Sequence, residues 1–270
     1  MASYSAQSRE SGRAPIPIES RAKDWWLMPL LTVSVLSLFG LYTAFRAFEN
    51  NFYHVGPYLS PMYSPLFINN WTITLPLLGT KHISPAIYIL VFPLAFRMTC
   101  YYYRKAVYRS FFWDPPACAV AEPMPESRMK YSGERAFPFV LMNLHRYAFY
   151  AAVIVVAFLA KDSVEAFIWP TANGGHTFGM GVGTLVMVIN VFLLGAYTFG
   201  CHAWRHLVGG KTNCYSCSCM TRSSYGIWKK VSFLNSRHAM WAWVSMLWVW
   251  FTDFYIRLVA SGAIHDIRIF

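Results

Sequence analysis

The sequence predicts an all-α integral membrane protein, a bundle of five transmembrane helices with its amino terminus in the cytoplasm. Three observations carry this. Of 270 residues, 56% are hydrophobic and 13% charged, roughly half the charge fraction of a soluble domain. Five apolar stretches reach the ~20 residues needed to cross the hydrocarbon core. The lysines and arginines gather on alternate connections, as the positive-inside rule requires. A mean hydropathy of +0.34 excludes a disordered chain. The net charge of +11 is placed as an orientation signal, which argues against a nucleic-acid footprint.

Residues 1–24 form a polar cytoplasmic tail with Pro15 and Pro17 and no apolar core of a cleavable signal peptide. The five spans are expected over 25–46, 83–103, 137–160, 181–207 and 238–258, within an anchor domain of 25–258 and an outer tail of 259–270. Arg9, Arg13, Arg21 and Lys23 precede the first span, six basic residues lie between the second and third, and six more between the fourth and fifth. That places the tail and both basic connections in the cytoplasm. The connection 47–82 carries Pro57, Pro61, Pro65 and Pro76 among aromatics, and is expected along the outer interface with Tyr58, Tyr63 and Trp71 as belt residues. Inside the spans, Arg97 reads as a side chain reaching the inner interface or steering a quinone. Asp253 and Arg257, four apart, read as a solvated pair, and Asn190 as interhelical glue.

Metal-binding side chains gather towards the cytoplasmic end. His202 and His206 are four apart and share one helix face, and Gly209-Gly210 ends that helix. Cys214, Cys217 and Cys219 follow in a short connection, and His238 opens the fifth span. His145 lies on the third span at a depth of about 12 Å, and Cys201 precedes His202. Three occupants suit such a set. A structural zinc would use the Cys214/Cys217 spacing with histidines. A b-type haem would be held by His145 with His206 or His238. A mixed iron–sulfur cluster would put two thiolates on one iron and two imidazoles on the other, at a raised potential.

Leu144-His145-Arg146-Tyr147, Cys201-His202-Ala203-Trp204-Arg205-His206-Leu207-Val208-Gly209-Gly210, and Asn235-Ser236-Arg237-His238 followed by Trp243-Val244-Ser245 resemble the membrane-anchor subunit of actinobacterial succinate dehydrogenase, respiratory complex II, in its mycobacterial form. The resemblance implies a chain in the plasma membrane that holds a flavoprotein and an iron–sulfur subunit at the cytoplasmic face. It also implies electron transfer through a membrane-embedded Rieske-type [2Fe–2S] cluster to quinone, menaquinone or ubiquinone. Succinate oxidation itself would lie on the flavoprotein. Carried onto this chain, the expected ligands are Cys214 and Cys217 on one iron and His206 and His238 on the other, with Cys201, Cys219, His145 and His202 as the remaining candidates. Tyr147, Arg205, Trp241 and Ser245 are the expected quinone-binding residues. Two rivals remain: a b-haem anchor with two histidine ligands, and a non-redox membrane protein with a structural zinc.

Overall fold

The computed structural model describes residues 26–66, 71–75, 79–111, 137, 139–171, 174–210, 212 and 214–270. The tail expected over 1–24 lies outside them. The first helix, α1 (Leu27–Glu49), is apolar except for Arg46 and Glu49 in its last turn and a few hydroxyl side chains, and ends where Asn50 turns left-handed at φ 48°. Two antiparallel hairpins follow, β1 (His54–Val55) with β2 (Tyr58–Leu59), and β3 (Trp71–Leu75) with β4 (Gly79–Ile83). The expected second span is not one helix. It divides into α2 (Pro85–Ile89), α3 (Val91–Thr99) and α4 (Tyr101–Phe111). Pro93 cannot donate to Ile89, which loosens the α2–α3 junction. Cys100 is extended, at φ −67° and ψ 127°, and separates α3 from α4.

A short 3-10 turn, Phe139–Leu144, leads into α5 (His145–Glu165). Strands β5 (Ile168–Pro170) and β6 (His176–Phe178) pair before α6 (Val182–Phe199). The expected fourth span also breaks, because Cys201 is extended at φ −70° and ψ 148° before α7 (His202–Gly209). The freed carbonyl of Gly200 accepts from Asn235 Nδ2 at 2.9 Å, so the break is satisfied rather than strained. The connection expected to be a simple loop contains α8 (Cys219–Ser236), started by a reciprocal cap between Ser218 and Thr221. The last helix, α9 (His238–Ala260), packs on α6, while α5 packs on both α3 and α6.

Among the described residues, α1, α5 and α6 are long and apolar enough to cross a membrane, and Pro85–Thr99 is apolar but shorter. Helix α9 matches α1 at 23 residues, but its tryptophans, Asp253 and Arg257 dilute its hydropathy. Short strands in the connections qualify the all-α expectation without altering the helical frame.

The connection after α1 departs most from expectation. Tyr58 and Tyr63, expected in an interfacial belt, are 2% and 0% exposed. The segment is tucked between helices and tied by hydroxyls to three carboxylates. Tyr58 donates to Asp266 at 2.6 Å, Ser60 donates to Asp253, and Ser64 donates to Asp162. Gly183 makes the close approach of Tyr58 possible, since a Cβ there would lie 2.7 Å from the ring. The side chain of Trp71 lies outside what is described. The carboxy-terminal segment folds back on the start of α6, with Val182 N donating to Ile267 O at 3.0 Å.

The local Asp253–Arg257 pair does not form. Asp253 accepts from Arg46 Nε at 2.8 Å and from Tyr42 at 2.5 Å, while Arg257 pairs with Glu49 at 2.8 Å. Arg46 and Asp253 are both fully buried. A side chain four residues along the same helix reaches only the helix surface, whereas α1 brings a guanidinium into the interior. Asn190 is buried, and its Oδ1 has no hydrogen-bond partner, so that oxygen does not serve as interhelical glue.

Candidate functional site

Four helix starts meet in one aromatic-lined core. Cys100 immediately precedes α4, His145 is the first residue of α5, Cys201 caps α7, and His238 is the first residue of α9. Both cysteines are free and buried. His145 Nε2 lies 3.0 Å from Cys201 Sγ, and His238 Nε2 lies 3.6 Å from Cys100 Sγ. Two imidazoles and two thiols from four separate segments therefore make two His–Cys contacts within this core. Helix starts present positive backbone dipole and unpaired N–H groups to this core. Among the described residues, no three or more His, Cys, Asp or Glu side chains surround a single metal ion. The donors stand as two His–Cys pairs.

Hydrogen bonding fixes one imidazole. Thr99 Oγ1 donates its proton to Ala95 O at 2.7 Å and lies 2.9 Å from His145 Nδ1. With its own hydrogen committed, Thr99 can only accept, so Nδ1 carries the proton and Nε2 presents a lone pair towards Cys201. His238 Nδ1 is buried with no partner. The rings are held by stacking. His145 lies on Phe96 at 5.0 Å and 4°, and His238 lies on Tyr197 at 4.9 Å and 15°. Phe96 and Tyr197 themselves meet edge to face at 5.4 Å.

Arg97 completes the inner wall. Its guanidinium lies 4.6 Å from the centroid of Tyr197, on the ring that also carries His238. It donates to Ala242 O and to Ser245 Oγ, each at 3.1 Å, and to Tyr103 Oη. On one side of the core, an open cleft of about 540 Å³ is bordered by His145, Arg146, Tyr147, His202 and His206. On the other, an apolar cavity of about 160 Å³ runs from Phe96, Arg97 and Tyr197 to Thr43, Pro61 and Met62.

The expected site residues are divided by this arrangement. Of Cys214, Cys217, His206 and His238, only His238 lies in the core. Cys214 and Cys217 are joined to each other as a disulfide, which leaves neither a thiolate to offer. His206 stands at the cleft, its Nδ1 3.4 Å from Arg146. Cys219 is exposed at the start of α8, and His202 lines the cleft. The remaining candidates His145 and Cys201 are both central.

The four expected quinone residues do not share a pocket. Tyr147 borders the cleft, and Ser245 is buried as a partner of Arg97. Arg205 bonds Ser232 at 3.0 Å and lies over Trp228, while Trp241 packs edge-on to Phe192. Cys100 is the residue that sequence reasoning missed. Its signal was its position in the second apolar stretch, after Arg97 and Thr99, at the same end as Cys201.

The sequence profile of the family described as actinobacterial succinate dehydrogenase subunit SdhC matches residues 27–262. Among solved structures, a chain of the Mycobacterium smegmatis Sdh1 complex in the apo form is similar at 42% identity, covering 96% of this chain and 97% of that chain, with a TM-score of 0.78. No curated relative matches. A profile spanning nearly every described element, together with this likeness along almost the whole length, places the chain in the actinobacterial succinate dehydrogenase subunit SdhC family.

Proposed function

We propose that this chain passes electrons from the iron–sulfur subunit to quinone through a Rieske-type [2Fe–2S] centre held by Cys100, Cys201, His145 and His238. The chain is a membrane-anchor subunit of succinate dehydrogenase in the plasma membrane, working with a flavoprotein and an iron–sulfur subunit. The observation that carries the finer reading is the meeting of two buried thiols and two imidazoles at four helix starts. That donor set is the one a mixed-ligand cluster uses, with thiolates on one iron and imidazoles on the other. When bound, such a group supplies a one-electron carrier of raised potential. The positioning of Cys214 and Cys217 in a disulfide supports moving the thiolate role to Cys100 and Cys201.

The protein's own residues do the positioning. Thr99 holds His145 in the tautomer that frees Nε2, and Phe96 and Tyr197 fix the planes of the two rings. Phe149, Tyr103 and Met246 are buried around the core, while His145 keeps one edge on the open cleft. The cleft beside His145 is open enough to admit a quinone head. His202, His206 and Tyr147 on its border are groups able to pass the two protons that quinone reduction consumes. The basic connections, and so this end of the bundle, face the cytoplasm and the partner subunits on the positive-inside reading.

The haem alternative is less well supported. His145 Nε2 is directed at a cysteine rather than at a second imidazole, and His206 lies out in the cleft. The zinc alternative loses the Cys214/Cys217 pair to a disulfide. The experiment is iron and acid-labile sulfide analysis of the intact complex with Cys100→Ser and Cys201→Ser. The proposal expects each variant to lose two irons and two sulfides relative to the unmodified complex. Unchanged iron and sulfide in both variants refutes the ligand set, and a haem α-band in the optical spectrum supports the rival.

A further inference from the structure

We propose that Arg97 is the fixed positive charge that stabilises the electron-loaded state of this centre and so sets its potential. The inference rests on the proposed function above and extends it to a residue that holds no metal. Arg97 sits on α3, three residues before Cys100, and its side chain turns into the bundle. Guanidinium, Tyr197 ring and His238 ring form three successive layers, with 4.6 Å from the guanidinium carbon to the ring centroid and 4.9 Å between the two rings.

The geometry is that of a charge held in place. Ser245 Oγ and Ala242 O accept from the two ends of the guanidinium fork, and Tyr103 accepts a third bond while covering one side. All of these acceptors are neutral. Among the described residues, no carboxylate lies within ion-pair distance of Arg97, in contrast to Arg46 and Arg257, which both have acidic partners. A guanidinium partly buried without a counter-ion carries a desolvation cost. The cost is offset when the neighbouring group is anionic. Two thiolates against the positive charge of an oxidised [2Fe–2S] core give a near-neutral assembly, and each electron accepted adds one negative charge. The attraction to Arg97 is therefore strongest in the reduced state, which is the condition for raising a potential.

A purely mechanical role, tying α3 to α9 through Ala242 and Ser245, predicts loss of assembly but no orderly dependence on charge. The two roles separate in a redox titration of the intact complex followed by electron paramagnetic resonance, with iron content measured in the same samples. With Arg97→Gln, the reduced-to-oxidised ratio at a fixed poise is expected to fall tenfold or more, about 59 mV for a one-electron centre, while iron content stays at the unmodified level. With Arg97→Lys, which keeps the charge but not the fork, the ratio returns most of the way. Where Arg97→Gln fails to assemble, Ser245→Asp supplies the second test. It leaves Arg97 in place, puts a carboxylate at the end of the fork, and is expected to lower the potential in the same direction.

An unchanged potential in iron-replete Arg97→Gln, or in iron-replete Ser245→Asp, overturns the role of Arg97 while leaving the ligand set standing. Persistence in Cys100→Ser and Cys201→Ser of the nitrogen-coupled signal of the unmodified complex overturns the ligand set itself, and with it the basis for the inference.

Discussion

Asp253→Ala tests whether the buried charge network on the far side of the bundle holds the connection after α1 in place. The carboxylate accepts from Arg46 Nε at 2.8 Å, from Tyr42 at 2.5 Å and from Ser60. Its loss leaves a fully buried guanidinium with Glu49 as its remaining acidic partner. Breaking a buried pair from one side costs about 3–5 kcal/mol. Because Glu49 and the carbonyl of Asn51 still accept from Arg46, the lower end applies. About 3 kcal/mol is roughly a hundredfold in the folded-to-unfolded ratio. The assay is unfolding of the purified complex in mild detergent, followed by tryptophan fluorescence. The double replacement Arg46→Met with Asp253→Leu removes both charges, and Glu49 keeps Arg257 at 2.8 Å. It should recover most of the loss, since apolar side chains of similar volume replace buried pairs at little cost. A loss below about 1 kcal/mol in Asp253→Ala, or a double variant no better than the single, would refute the reasoning.

Other expectations follow from the same geometry. Cys214→Ser with Cys217→Ser should leave the iron content and the spectrum of the complex unaltered, because those sulfurs bond each other outside the core; iron analysis checks it. Thr99→Val removes the acceptor that fixes the His145 tautomer and should weaken retention of the centre about 10–100-fold, measured as iron loss during a chelator challenge. Burial and the Asp266 carboxylate push the Tyr58 phenol upward. Its contribution to stability is complete below the ordinary phenol range near 10 and is lost as pH rises towards the elevated folded value. Tyr58→Phe should therefore flatten the alkaline end of a stability profile read by thermal unfolding.

Hydropathy made the helical frame legible, because a membrane span is a local property of composition. The breaks within spans were not legible in the same way. Cys100 and Cys201 interrupt apolar stretches that read as continuous, and what permits the break at Cys201 is non-local: Gly200 O accepts from Asn235, 35 residues later in the chain. The Cys214/Cys217 spacing invited a metal reading, and the same spacing lets two adjacent sulfurs bond to each other. His145, Cys201 and His238 were visible as candidates because histidines and cysteines gather towards the cytoplasmic end of the expected spans. Cys100 was not, since nothing in its immediate sequence distinguishes it from a packed thiol. Tyr58 and Tyr63 looked like interfacial aromatics, but their hydroxyls find Asp266 and the carbonyl of Arg46 inside the fold. Partners distant in sequence decided the helix break at Cys201 and the burial of Tyr58, whereas the disulfide joins near neighbours.

Nitrogen hyperfine spectroscopy of the succinate-reduced complex addresses the core directly. If His145 and His238 hold one iron, the paramagnetic signal carries couplings to two inequivalent imidazole nitrogens, and His145→Ala or His238→Ala abolishes the signal. A signal in this membrane subunit with no nitrogen coupling, or one indifferent to both replacements, would contradict the four-helix-start centre.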